Sequence, residues 1–178
     1  MNELYEELEE EFEESKWKKP LVITIAVFLL IIFLVYILAN TIGLNVLAGL
    51  LESSKVNDNE IDFSFDGKLV FLGDNLDKLK EIYFTDQKVE IKVCLKGFID
   101  DNIYYIDSLY IPEIYSQRFN QVVSEPCSDD SLVSLHSHPF KHCLPSEQDF
   151  ISFENFKEKN ENALMIVMCE EDRFNVYE

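Results

Sequence analysis

The sequence predicts an α/β domain, with a central mixed β-sheet flanked by helices, preceded by one transmembrane helix. Three observations carry this. Leu21 to Ala39 is a run of 19 residues whose only polar member is Thr24. At about 1.5 Å per residue such a helix reaches ~28 Å, close to the ~30 Å hydrocarbon core of a bilayer. Beyond it, short β-prone runs bounded by Asp, Asn and Gly alternate with helical patterns, as in layered α/β domains. Residues 52–178 are long enough for one independent domain.

Charge and composition exclude several classes. The chain of 178 residues carries 34 acidic against 15 Lys and Arg residues, a net charge of -19. No nucleic-acid partner is expected, because phosphate affinity needs clustered basic residues. With 5 Gly, 5 Pro and 4 Cys, the collagen, low-complexity and disulfide-scaffold classes also fail.

Four segments follow from this reading. Residues 1–19 form an acidic amphipathic segment, with eight Glu between Glu3 and Glu14 and with Leu4, Leu8 and Phe12 on one helical face. It reads either as a solvated helix or as a docking helix for a complex partner. Residues 20–40 are the membrane helix, with Trp17 and Tyr36 near its ends as interfacial aromatics. The run is longer than the apolar stretch of a cleaved signal peptide, about 7–15 residues. Residues 41–59 are a membrane-proximal linker that opens on a weaker apolar stretch, Thr41 to Leu51, with Asn40 and Gly43 marking a break near its start.

Residues 60–178 are the domain. Ile61 to Phe65 and Lys68 to Leu72 read as a hairpin around Asp66-Gly67. Asp74 to Phe84 reads as a helix with Leu76, Leu79 and Ile82 inward. Lys88 to Leu95 and Ile103 to Ile111 read as strands turning at Asp100, Asp101 and Asn102. Leu132 to His136 is a short strand and Ser146 to Lys157 a helix. Ala163 to Cys169 and Arg173 to Tyr177 are closing strands.

The chemistry concentrates in His136-Ser137-His138-Pro139 and Pro145-Ser146-Glu147-Gln148-Asp149. Alternate residues of an extended chain share one side, so both imidazoles can face one ion. The intervening loop can fold back to deliver Asp149 to the same point. Two imidazole nitrogens and one carboxylate form a catalytic-type zinc site with an open position. Ser146 and Asp149 also read as a capping box at a helix start.

These residues resemble the JAMM (MPN-plus) zinc metalloproteases. The family pattern is His-x-His, ten residues, then Asp, with Ser three before the Asp, and all of it stands here. An upstream Glu seven residues before a Gly is matched by Glu90 and Gly97. The resemblance spans about residues 60–178 and implies a JAMM/cytidine-deaminase-like sandwich. It also implies that His136, His138 and Asp149 hold Zn²⁺, that Glu90 moves the proton and that Ser146 donates to the oxyanion. Asp100, Asp101, Glu113 and Glu125 are rival upstream carboxylates, in turns or loops. The implied activity is hydrolysis of an amide at the C-terminus of ubiquitin or a ubiquitin-like protein. Two alternatives stand beside it. One is a non-catalytic MPN-like interaction module. The other is a zinc peptidase trimming a sulfur-carrier-type precursor.

His142 and Cys143 read as loop residues rather than extra ligands. Cys94 and Cys169 fall in strands and read as core, while Cys127 and Cys143 are a possible disulfide outside the cytosol. Lys16, Lys18 and Lys19 abut the membrane helix on its N-terminal side, with only Lys55 close on the other. The positive-inside rule then puts the N-terminus in the cytosol. Ubiquitin-like substrates favour a cytosolic domain instead, so the side of the membrane stays open at this point.

Overall fold

The structure is a computed structural model. It describes residues 15–39, 41–63, 67–85, 87–118, 121–139 and 142–178. Most of the acidic N-terminal segment, Asn40 and the turn residue Asp66 lie outside the described residues. Two compact units are present, Met1–Leu44 and Asn45–Glu178.

The first unit contains helix α1 (Ser15–Ala39). Its stretch Lys18–Leu38 is long and apolar enough to cross a membrane, and none of it is buried against protein. Tyr36 is exposed, as an interfacial aromatic would be. The threonine hydroxyl in the run is satisfied internally, since Thr24 Oγ1 donates to Pro20 O at 2.8 Å. In hydrocarbon an unpaired polar group costs several kcal/mol, roughly, so this bond suits a spanning helix.

Helix α2 (Thr41–Glu52) enters the second unit. Gly49 lies against Cys143, where an added Cβ would sit 3.0 Å from the Cys143 Cβ. Arg173 Nη1 donates to Leu50 O and Ser53 O at 3.1 and 3.3 Å, satisfying carbonyls at the helix end. Residues assigned from sequence to a linker therefore pack within the domain.

Next come β1 (Ser54–Lys55), β2 (Glu60–Phe63), β3 (Gly67–Phe71), α3 (Asn75–Thr85), β4 (Lys92–Asp100) and β5 (Ile103–Tyr110). They are followed by β6 (Ile114–Arg118), β7 (Gln121–Ser124), β8 (Ser131–Ser137), α4 (Glu147–Lys157), β9 (Leu164–Glu170) and β10 (Arg173–Tyr177). Eight strands form one mixed sheet in the order β1-β10-β9-β8-β4-β5-β3-β2, and β6 and β7 form a separate hairpin. Among the described residues, only β8–β9 and β3–β5 pair in parallel. The expected α/β class and mixed sheet are therefore present.

The period of two along central strands builds two cores. Val93, Leu95, Val133, Leu135, Leu164, Ile166 and Met168 face one side, where α3 adds Leu76 and Leu79. Cys94 and Met165 face the other, where α4 adds Phe153 and Phe156. Strands buried on both faces read as continuous apolar runs, which is why β9 was legible.

Three expectations need correction. The strand expected over Lys88–Leu95 begins only at Lys92 and runs on to Asp100. A register shift at Lys96/Gly97 lets it continue. Gly97 is required there, because a Cβ would lie 1.7 Å from Tyr105 O. The β6–β7 hairpin was not foreseen, since its exposed polar residues carry little alternation. Finally, Cys127 does not pair with Cys143. The disulfides are Cys94–Cys127 and Cys143–Cys169, so all four cysteines are bonded. Sequence spacing carries no information on which strand faces which loop.

Candidate metal centre

His136 sits near the end of β8 on the face that α4 covers, and His138 follows the strand's last residue. Parallel pairing with β9 continues past the strand, with His138 N donating to Met168 O at 3.1 Å. The extended backbone thus aims both rings the same way, with centroids 4.8 Å apart. The chain then returns through 139–146 to start α4. Ser146 is the N-cap in β conformation, and a capping box links it to Asp149. Ser146 N and Oγ both donate to Asp149 Oδ2 at 2.7 Å, fixing the carboxylate. The sequence-derived cap is therefore present, and it is what orients the acid.

The three side chains converge. Their potential ligand atoms lie within 4.8 Å of one another. His136 Nε2 is 3.4 Å from Asp149 Oδ1, and His138 Nε2 is 3.5 Å from Asp149 Oδ2. These separations let the three side chains share one metal ion. His136 Nε2 is buried and has no hydrogen-bond partner among the described residues, despite the nearby carboxylate. Such an orphaned nitrogen is costly unless something binds it. The donor set of two imidazoles and one carboxylate fits a metal ion.

Charge follows burial and proximity. Burial brings the His136 imidazole down to about 4, leaving it neutral and ready to donate its lone pair. Burial also opposes charge on His138, but the Asp149 and Glu90 carboxylates outweigh it and raise its pKa. Asp149 is held well below the usual carboxylate range. Burial works against that, and the two imidazoles with the Ser146 hydroxyl more than offset it. Burial raises Glu90 to about 7, with His138 pulling it down and Asp149 pushing it up.

Glu90 reaches the cluster from a different part of the chain. Its Oε1 is 3.7 Å from His138 Nε2, and the residue is buried. The rivals Asp100, Asp101, Glu113 and Glu125 are all exposed. Ser137 anchors the next residue, accepting from Ile91 N at 3.1 Å through Oγ and donating to Ile91 O at 3.0 Å through its own amide. A cleft of about 420 Å³ opens beside the cluster, lined by Tyr83, Phe84, His138, Pro139, Glu170 and Glu171 among others.

Sequence reasoning missed two neighbours, Lys92 and Gln117, and read a third, His142, as a loop residue. Lys92 pairs across the sheet with His136, and its Nζ donates to Ser134 Oγ. Burial brings Lys92 down to about 8. A lysine inside the apolar run Ile91–Leu95 was the available signal. His142 Nδ1 lies 3.4 Å from His138 Nδ1, touching a candidate ligand from behind. Gln117 contacts Glu90, and no local pattern announces it.

No model of a known protein family matches the chain, and no curated protein matches it either.

Proposed function

We propose that this chain is a membrane-anchored zinc metallopeptidase of JAMM type. The observation that carries the reading is the convergence of His136, His138 and Asp149 within reach of one ion, with Glu90 beside them. His136, His138 and Asp149 would hold the ion. Bound zinc supplies Lewis acidity and makes a nucleophile available at neutral pH. Glu90 takes a proton and returns it to the leaving amine, and a carboxyl near 7 suits both tasks. Ser146 keeps Asp149 aimed with its one hydroxyl proton, and acting as the oxyanion donor that the resemblance implies would require it to release Asp149. The cleft against His138 and Pro139 admits an extended segment of substrate.

The substrate class implied by the resemblance is the C-terminus of ubiquitin or a ubiquitin-like protein. A second reading has its own support. Disulfides, of which the domain has two, form and persist mainly in oxidising compartments, and three lysines flank the N-terminal end of α1. Both favour a domain outside the cytosol acting on a peptide or protein there.

The test uses the full chain in detergent. It should bind about one zinc at neutral pH and cleave either isopeptide-linked diubiquitin or a peptide library. Glu90→Gln should keep the zinc and lose hydrolysis. A folded chain that takes up no zinc would leave only an interaction module. Protease protection on intact vesicles then assigns the side, with a shielded domain supporting the cytosolic substrate only if the vesicles are right-side-out.

A further inference from the structure

Glu90 lies outside any strand, so the sheet does not fix it. Its downstream neighbour Ile91 is fixed by Ser137 of β8. Its own backbone is held instead by the β6–β7 hairpin, a separate two-stranded unit. Glu90 N donates to Arg118 O at 3.1 Å, and Gln117 Nε2 donates to Glu90 O at 2.7 Å. One of these two bonds is made by hairpin backbone. Only the Gln117 bond depends on a side chain.

The geometry points to Gln117 as a positioning residue for Glu90, locking the peptide unit that aims the carboxylate at the metal centre. The bond fixes the carbonyl of the 90–91 peptide from the hairpin side while Ser137 fixes Ile91 from the sheet side. Without it that plane is held from the sheet side alone, through Ile91 N to Ser137 Oγ, and the carboxylate is less firmly aimed. Displacements near 1 Å can cost roughly 10²-fold in rate, so a partial loss of the hold should read as about tenfold. The role does not involve the ligands, so metal binding should not change. This inference rests on the peptidase reading, in which Glu90 moves the proton.

The experiment compares wild type, Gln117→Ala, Gln117→Glu and Gln117→Arg as full chains in detergent, loaded with zinc. Glu keeps the length of Gln but cannot donate, whereas Arg is a long donor. The expected result is kcat down about tenfold for Gln117→Ala and Gln117→Glu, with KM and zinc content unchanged, and recovery in Gln117→Arg. Hydrogen exchange gives a second readout that needs no turnover. The segment containing Glu90 should exchange faster in Gln117→Ala, while β8 and α4 stay as in wild type. Unchanged exchange at Glu90, unchanged kcat, or an equal loss in Gln117→Arg would overturn the role of Gln117. A wild-type chain that binds no zinc would instead remove the peptidase reading, while the exchange measurement would still report whether Gln117 holds Glu90.

Discussion

The candidate metal-ligand half of the site and its proposed proton-transfer half are built differently. His136, His138 and Asp149 come from 14 consecutive residues, set by a strand end, a loop and a capped helix start. Glu90 comes from a segment 46 residues before His136 and is held by a hairpin that follows it in sequence. Each half carries its own disulfide. Cys143–Cys169 ties the loop between the ligands to β9, and Cys94–Cys127 ties the chain just after the hairpin to β4. A compact motif can be specified by local periodicity. A remote base needs a second layer of contacts to aim it, and those contacts are where such a site can be tuned.

The largest effect should come from the ligand half. His136→Ala or Asp149→Ala should abolish zinc binding and hydrolysis together, measured by metal content and turnover. A retained zinc would show that the three side chains do not share an ion. Next, Glu90→Gln should separate the halves, with zinc retained and the rate down by about 10²–10⁴. Loss of metal in that variant would make Glu90 a ligand and erase the distinction.

The disulfides sharpen the comparison further. Each closes a loop of comparable length, and either should contribute about 3–4 kcal/mol to stability by chain entropy. Their functional effects should differ. Cys143→Ser with Cys169→Ser should weaken zinc binding, while Cys94→Ser with Cys127→Ser should lower turnover with zinc retained. Identical profiles for the two pairs would mean that both act only through global stability.

Acidity and the cap give smaller effects. His138 has its pKa raised, so it stays protonated to higher pH than a free imidazole. A ligand must lose that proton, so zinc affinity should fall as pH drops through the His138 range, about tenfold per unit per proton released. Zinc titration calorimetry in buffers of different ionisation enthalpy checks the proton count. Ser146→Ala should cost about 1 kcal/mol as a lost cap and weaken zinc by roughly tenfold through a looser Asp149. A drop in kcat at full zinc occupancy would instead mark Ser146 as the oxyanion donor.

Local order was readable in the residues themselves. The apolar run gave α1 its length, the alternation of β8 put His136 and His138 on one side, and Ser146 with Asp149 announced the start of α4. These features depend on neighbours a few positions apart, where strand and helix periods fix which way side chains point. The cysteine partners, the lysine beside His136 and the grip of Gln117 on Glu90 were not readable in that way. They depend on which strands pair, in what register, and where a polar hairpin comes to rest. Packing sets those relations between segments distant in the chain, and no local period encodes them.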